Sequence, residues 1–222
     1  QCRGHNTNLF RQFPCGEALE RPVILQILAR CGAFFIGFVV KGQMNHDFAF
    51  RIEVNPCVIE ITIGKVKTYL QQWDRAKDVL EFPVSSATVQ LAAEALHVIP
   101  ARIAKTLSFK GKEEKGILIV AAGDAKIDNA KFKRCFGLKA KMLAPEEVLA
   151  YTGHTVGGVC PFAIEDSRVE CYLDVSLQRF ATVYPAAGTS NSAIELTCDE
   201  LATYAHSLAW VDVCKGWQED GD

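Results

Sequence analysis

Residues 103–122 read IAKTLSFKGKEEKGILIVAA and predict two neighbouring β-strands joined by a charged turn. The second strand, 117–122, is an uninterrupted apolar run, which is typical of a strand that is buried on both faces. The first strand, 103–109, carries one lysine, Lys105, among apolar neighbours. A buried lysine normally has a partner or a function, because removing an ammonium group from water is costly. Alternation along the strand leaves two possibilities open: Lys105 faces a pocket, or it lies on a solvated outer face.

Strand and helix patterns alternate along the chain on both sides of this pair of strands. Helices are expected over 65–76, from Ser85 or Ser86 to Leu96, from Asn129 to a cap at Gly137, from Pro145 to Gly153, and after a capping box formed by Thr197 and Glu200. Further strands are expected at 79–82, 139–143, 169–175, 180–184, 193–197 and 210–213. The predicted fold class is therefore α+β, with a mixed, partly barrel-like β-sheet and short helices around it.

The first 62 residues differ in pattern from the rest, so we expect an N-terminal extension over 1–62 and one domain over 63–222. Residues 23–40, VILQILARCGAFFIGFVV, are mostly apolar, but Arg30 lies near their centre. A central arginine costs about 2.5–3.5 kcal/mol on membrane-insertion scales, and the run has only the minimum length for a span. We therefore expect a buried helix, a hairpin or an extension outside the core, and no membrane partner.

The charge distribution is uneven along the chain. The net charge of −2 hides a basic segment over 102–141, with 11 Lys and Arg against 4 Asp and Glu. Residues 142–222 are acidic, with 3 Lys and Arg against 13 Asp and Glu. A basic segment in an acidic protein indicates either a phosphate-rich partner or lysines that only decorate short solvated elements. Both interpretations stay open on the charge pattern alone.

The cysteines and histidines do not form a metal-binding pattern. Nine cysteines are present, and no two have the C-x-x-C spacing of a zinc or redox site. Most lie in apolar runs, which is typical of free thiols in a reducing compartment. The five histidines are scattered. We therefore expect no metal and no cofactor, and a cytoplasmic location.

A second stretch, TGHTVGGVCPF over 152–162, predicts a glycine-rich loop. Adjacent glycines, Gly157 and Gly158, allow the backbone to approach a ligand closely, whereas the alternative is an ordinary tight turn. Cys160 is a candidate nucleophile, with His154 as the nearest histidine in sequence. Asp174 lies on the strand that follows, either at the surface or aimed into a site where it could orient Lys105.

Taken in order, these pieces resemble the YbaK/ProX aminoacyl-tRNA deacylases. The resemblance is carried by IAKTL around Lys105, AAGDAKIDNAKFK, TGHTVGGVCPF, the Asp174 strand, and Gly188 followed by SAIEL. Members of this family are free-standing relatives of the editing domain of bacterial prolyl-tRNA synthetase. The resemblance covers about Lys65 to Val213 and leaves out the first 62 residues.

The resemblance implies hydrolysis of the ester between a wrong amino acid and tRNA, typically proline-specific tRNA carrying alanine, 2-aminobutyrate or cysteine. Water would attack the ester with help from the terminal hydroxyl of the tRNA. The implied partners are the acceptor end of aminoacyl-tRNA and prolyl-tRNA synthetase. Lys105 matches the essential lysine of the family, and the remaining implied residues are substrate-binding Gly157, Gly158, Val159, Cys160, Pro161 and Asp174, and tRNA-binding Lys110, Lys112, Lys131, Lys133 and Arg134. A tyrosine that some members carry has no match near Phe82–Ser86, which leaves substrate choice open.

Two other hypotheses stand beside the deacylase. The first is a binding module that recognises tRNA or aminoacyl-tRNA without hydrolysing it. The second is a thiol enzyme that uses Cys160 as its nucleophile. The sequence makes no prediction of the oligomeric state.

Overall fold

The computed structural model describes residues 56–83 and 85–217. The apolar run at 23–40 lies outside these residues. Within these residues, five α-helices and ten strands follow one another in the order α1 (Pro56–Leu70), β1 (Val79–Glu81), α2 (Val89–Leu96), β2 (Ile103–Lys110), β3 (Gly116–Ala122), β4 (Lys126–Ile127), α3 (Asn129–Phe136), α4 (Pro145–Thr152), β5 (Val169–Asp174), β6 (Thr182–Pro185), β7 (Ser192–Ile194), β8 (Leu196–Thr197), α5 (Cys198–Tyr204), β9 (Ala209–Val211) and β10 (Cys214–Lys215). Among the described residues, no helix is long and apolar enough to cross a membrane.

Six strands form a curled mixed sheet in the order β8-β6-β2-β3-β5-β9, and the prediction of a partly barrel-like sheet is confirmed. β2 and β3 are antiparallel, with Lys105 opposite Ala121. β3 pairs with β5 in parallel, and β5 pairs with β9 in parallel. Two short antiparallel ladders, β1 with β7 and β4 with β10, lie outside this sheet. The mixture of parallel and antiparallel pairs follows from hairpins and helical crossovers in one chain.

The apolar run that predicted a central strand forms β3, and every residue of β3 is buried. It has β2 on one side and β5 on the other, so both of its edges are hydrogen-bonded. Phe109 of β2 packs against Phe132 of α3, with ring centroids 5.0 Å apart. α1 contributes Val66 and Leu70 to the core, and neither of them is exposed. The expected boundary between residues 62 and 63 therefore falls inside a helix that packs on the core.

The predicted helix ends are confirmed where a side chain or a glycine sets them. Gly137 and Gly153 end α3 and α4, each with φ of 72°, in the left-handed region that favours glycine. Thr197 and Glu200 form the capping box of α5. At the start of α3, Asp128 accepts hydrogen bonds from the N–H groups of two residues in the first turn.

Several predicted elements are wrong in position or type. Residues 139–143 form no strand, because their only ladder contact is an isolated bridge between Met142 and Phe109. The cap of α2 is Thr88, which accepts from the Leu91 N–H, and neither predicted serine caps it. The helix expected over 65–76 ends at Leu70. Two short 3-10 turns follow it, separated by Asp74 in the left-handed conformation.

The strand expected over 193–197 is divided at Glu195 into β7 and β8. β7 pairs with β1, whereas β8 pairs with β6 in the main sheet. The Glu195 carboxylate accepts a hydrogen bond of 2.6 Å from Thr182 Oγ1 and forms an ion pair with Arg102. Because these partners lie on elements that are distant in sequence, the break could not be predicted from local pattern.

Candidate active site

A cavity of about 490 Å³ opens beside the main sheet, which is a size typical of small-molecule sites. β2 forms one wall, and the segment that precedes α2 forms a second. The loop at 156–159, the segment at 184–193 and the segment at 142–148, which includes the start of α4, contribute the remaining sides. The lining is mostly apolar and includes five alanines, Ala87, Ala92, Ala104, Ala186 and Ala193. Of the residues predicted for the site, Lys105, Gly157 and Val159 border this cavity.

Lys105 is half-buried on β2, so its ammonium group is neither fully solvated nor sealed in the core. Its Nζ donates to the Gly123 carbonyl at 2.9 Å and to the Ala125 carbonyl. Burial lowers the pKa of Lys105, and the nearby charge of Asp124 acts in the opposite direction. An ammonium group has three N–H donors. Two are directed at these carbonyls, which leaves one for a ligand.

The glycine loop is packed tightly against the segment at 188–189. Gly157 has φ of 96°, a conformation that favours glycine. A Cβ on Gly158 would lie 2.7 Å from the Thr189 Cα and carbonyl carbon and 2.9 Å from the Gly188 oxygen. Both glycines are therefore required by the backbone geometry. Gly158 does not border the cavity and instead supports the residues that do.

Cys160 and Pro161 are buried behind the loop and do not border the cavity. Cys160 Sγ lies 3.4 Å from His154 Nε2, which also lies 2.9 Å from the Phe162 carbonyl oxygen. A carbonyl can only accept, so Nε2 carries the proton in the neutral ring. Burial raises the pKa of Cys160 to about 12 and lowers the pKa of His154. A neutral, enclosed thiol argues against the thiol-enzyme hypothesis.

His154 connects the two ends of the glycine loop, because its ring reaches from position 154 to the Phe162 carbonyl across the turn. It is 1% exposed, so this contact is sealed from solvent. Sequence reasoning considered His154 as one of five scattered histidines and as the histidine nearest to Cys160, and it did not predict the contact with the Phe162 carbonyl. The signal that could have identified this role is its place in a run of glycine and small residues, which provides few other side chains to stabilise a loop.

The structure places Asp174 away from the cavity, fully buried at the end of β5. Its Oδ1 accepts from the Ser176 N–H at 3.0 Å, and its Oδ2 accepts from the Val213 N–H at 2.9 Å. These bonds cap the 3-10 helix Val175–Arg179 and connect it to the strand region near the C-terminus. Both carboxylate oxygens therefore have backbone partners.

The predicted tRNA-binding residues divide into two groups. Lys110 forms an ion pair with Glu147, and Lys131 forms one with Asp212 at 2.7 Å. The other group is exposed and has no carboxylate partner within residues 56–83 and 85–217; its members are Lys112, Lys133 and Arg134. Lys112 Nζ reaches the end of α3 at Gly137, next to the turn that carries the other two.

Residues that the sequence did not identify also border the cavity. Thr189 Oγ1 donates to Ser192 Oγ at 2.7 Å, and both residues are buried in the segment at 184–193 that lines the cavity. Tyr184 is a further lining residue, and the Arg102 guanidinium lies 5.0 Å from its ring centroid. Within the described part of the chain, no group of three or more His, Cys, Asp or Glu side chains could hold a metal ion.

A curled mixed sheet with a cavity, a half-buried lysine and a tightly packed glycine loop defines an α+β domain with a candidate ligand site. The chain belongs to the aminoacyl-tRNA editing domain family, whose model matches residues 84–204. It is 56% identical over 158 residues to the uncharacterized protein YwhH of Bacillus subtilis, which covers 71% of this chain and all of that protein.

Two further similarities point to the same family. The chain is 28% identical over 154 residues to the proline–tRNA ligase of Thermotoga maritima, which is 64% of this chain and 26% of the ligase. A crystal structure of a candidate trans-editing enzyme for prolyl tRNA synthetase matches with a TM-score of 0.63 and 27% identity. That match covers 74% of this chain and all of the other.

Proposed function

We propose that this protein is a trans-editing hydrolase that deacylates mischarged aminoacyl-tRNA. The observation that supports this most directly is the cavity bordered by both Lys105 and the glycine loop, in a chain of the editing-domain family. Similarity to proline–tRNA ligases and to the candidate trans-editing enzyme favours proline-specific tRNA as the carrier. The small lining residues suit a small acyl group, for which we propose alanine, 2-aminobutyrate or cysteine.

The proposed reaction is hydrolysis of the aminoacyl ester. A water oxygen attacks the ester carbonyl carbon, and the bond between that carbon and the ribose oxygen breaks. The ribose oxygen takes up the proton that the water releases, and the terminal ribose hydroxyl of the tRNA assists in activating the water. The third N–H of Lys105 binds a substrate oxygen, either the ester carbonyl as negative charge develops on it or the terminal phosphate.

The glycine loop serves as a rigid backbone surface in this proposal. Gly157 and Val159 border the cavity, and their main chain contacts the aminoacyl group. Gly158, Cys160 and Pro161 support them from behind, and His154 keeps the two ends of the loop together. Rigidity matters because a catalytic group that is misplaced by about 1 Å can lose about 10²-fold in rate.

Binding of the tRNA acceptor end is assigned to the exposed cations. Lys112, Lys133 and Arg134 lie together at the end of α3 and are free to neutralise phosphates. Lys110 and Lys131 can contribute only by giving up their carboxylate partners. We also propose prolyl-tRNA synthetase as a partner, a cytoplasmic location, and an editing domain over residues 63–222, with residues 1–62 as an N-terminal extension outside the family domain.

A binding module without activity is the second candidate. It is favoured by the two carbonyl partners of Lys105, which would satisfy the lysine structurally even in a protein that does no chemistry. The test is a panel of proline-specific tRNAs carrying alanine, cysteine, serine or 2-aminobutyrate. Release of free amino acid from at least one of them is expected. Tight binding of the whole panel with no release above the uncatalysed rate would establish the binding module instead.

A further inference from the structure

The two carbonyls that hold Lys105 belong to one turn after β3, and they flank a single acidic residue. Gly123 and Ala125 supply the carbonyls, and Asp124 lies between them. A Cβ on Gly123 would lie 2.0 Å from the Pro100 carbonyl oxygen, so the turn packs directly on the backbone before β2. Any movement of this turn would move the two acceptors of the lysine with it.

Arg179 holds Asp124 with both arms of its guanidinium group. Nη2 lies 2.6 Å from Asp124 Oδ1, and Nη1 lies 3.0 Å from Oδ2. A bidentate pair of this kind fixes the orientation of both side chains, because two parallel hydrogen bonds allow little rotation. The guanidinium is the only charged group in the described residues that forms an ion pair with Asp124.

Arg179 is itself held in place by the backbone and by aromatic rings. Its Nε donates to the Ser176 carbonyl at 2.9 Å, and Nη1 also donates to the Trp217 carbonyl at 3.0 Å. The guanidinium carbon lies 4.8 Å from the ring centroid of Phe180 and 5.1 Å from that of Trp217. Stacking against two rings and four hydrogen bonds leave the arginine little freedom.

The same 3-10 helix, Val175–Arg179, also holds the beginning of the turn. Ser176 Oγ accepts from the Ala122 N–H at 3.2 Å, at the last residue of β3. The Ser176 N–H in turn donates to buried Asp174. The helix therefore contacts the turn on both sides of Gly123, through Ser176 before it and Arg179 after it.

We propose that Arg179 and Asp124 are a positioning pair for deacylation, which fixes the turn whose carbonyls hold the Lys105 ammonium group, so that its third N–H is presented to the cavity. This inference rests on the proposed function of Lys105. Neither residue contacts the cavity, so neither is assigned a contact with substrate. Asp174, which resemblance assigned to substrate binding, belongs to the same support, because it caps the helix that carries Arg179.

The alternative is an ordinary surface ion pair. The side chains of Arg179 and Asp124 are 27% and 35% exposed, and exposed pairs usually add little to stability. The two interpretations predict different outcomes for the rate. Removal of a surface pair leaves turnover unchanged. Removal of a positioning pair lowers turnover, while the thermal midpoint changes little.

The test compares Arg179→Gln, Asp124→Asn and the double variant in hydrolysis of alanyl-tRNA specific for proline. We expect kcat to fall roughly 10- to 100-fold in each single variant, as for a catalytic group displaced by up to about 1 Å, with KM unchanged. The double variant should be no slower than the slower single variant, because the two residues act as one unit. Arg179→Lys, which keeps the charge but loses the fork, should recover only part of the rate.

A matched control is available at the opposite end of β3. Arg168 forms a similar fork with Asp166, through Nε at 3.0 Å and Nη2 at 2.7 Å, and its own backbone carbonyl accepts a hydrogen bond of 3.1 Å from the Gly116 N–H. Arg168→Gln removes an ion pair of the same type and should leave kcat unchanged. Burial lowers the pKa of Lys105, whereas the charge of Asp124 raises it. Asp124→Asn should therefore also shift the basic limb of the pH–rate profile to lower pH, whereas Arg168→Gln should not.

A second measurement needs no tRNA. Lys105 is acetylated with acetic anhydride, and the reaction is followed by peptide mass spectrometry with exposed Lys77 as internal reference. Acetylation of Lys105 should be severalfold faster in Asp124→Asn and Arg179→Gln, because the turn no longer holds the lysine on its two carbonyls. If both variants keep the wild-type kcat and the wild-type labelling rate, the positioning pair is refuted while the deacylase stands. If wild type hydrolyses none of the panel and labelling still rises, the pair positions Lys105 and the proposed function is wrong. If Arg179→Gln does not fold, Asp124→Asn decides both measurements.

Discussion

A methyl group added at Gly158 should separate the two loops that form one side of the cavity. The new Cβ would lie 2.7 Å from the Thr189 Cα, and ordinary contact begins near 3.4 Å, so the loops must part by about 0.7 Å. The obstructing atoms are backbone, which cannot rotate away as a side chain would. Overpacking of this kind costs about 1–3 kcal/mol, which is about 2–12 °C of thermal midpoint for a chain of this size.

The same displacement should lower activity. Gly157 and Val159 border the cavity and move with Gly158, so we expect Gly158→Ala to reduce kcat by roughly 10- to 100-fold. The assay is release of amino acid from alanyl-tRNA, together with thermal unfolding of the same preparation. Gly64→Ala is the matched control, because a Cβ there meets nothing within 4 Å and the residue lies in α1. That control should keep its activity and gain about 0.5–1 kcal/mol of stability, since alanine is the better helix former. A Gly158→Ala variant with wild-type midpoint and turnover would refute the tight packing of the loop.

Three further predictions concern the buried thiol, the buried histidine and the exposed cations. Cys160→Ala should keep turnover close to wild type and iodoacetamide should not label Cys160 in the folded protein; loss of turnover with an unchanged thermal midpoint would restore the thiol enzyme. Because burial lowers the pKa of His154 below its ordinary 6.5, the unfolded chain binds a proton that the folded chain does not, so this stability is present above pH 6.5 and is lost as the pH falls below it. His154→Gln should therefore show a smaller fall in thermal midpoint between pH 7.5 and 5.5, and an identical fall would contradict the assignment. Lys133→Ala and Arg134→Ala should each reduce the slope of log K for tRNA binding against log salt by about 0.7–0.9 per lost phosphate contact, and unchanged slopes would exclude this surface.

Local signals in the sequence were sufficient for the centre of the fold. The apolar run at 117–122 requires burial on both faces, and β3 is buried throughout. Gly137 ends one helix, and the Thr197 capping box begins another. In both cases the hydrogen bonds join residues that are close in sequence, so these two helix ends do not depend on the rest of the chain. The stretch at 139–143 lacks such a signal. It runs beside the end of β2 through two backbone hydrogen bonds, from Lys110 to Lys141 and from Leu143 to Ser108, without continuing as a strand.

The site was predictable in part, because the glycine loop and Lys105 carry a recognisable pattern. Neither periodicity nor composition could show that Lys105 bonds two carbonyls that lie 18 and 20 residues later. The role of Arg179 was equally hidden, since its partner Asp124 is 55 residues away. The Asp174 carboxylate accepts a bond from Val213, 39 residues later, which the alternation of a strand does not indicate. Long-range hydrogen bonds of this kind depend on the tertiary fold.

The most direct test of the central claim is the rate at which Lys105→Ala hydrolyses the mischarged tRNA that wild type hydrolyses. The deacylase hypothesis predicts a loss of roughly 10²–10³ in kcat, as for removal of one donor to a developing oxyanion, with an intact fold. Lys77→Ala, at an exposed lysine of similar chemistry, should hydrolyse the same substrate at the wild-type rate. A folded Lys105→Ala variant with wild-type kcat would contradict the assignment of this cavity as the site of hydrolysis.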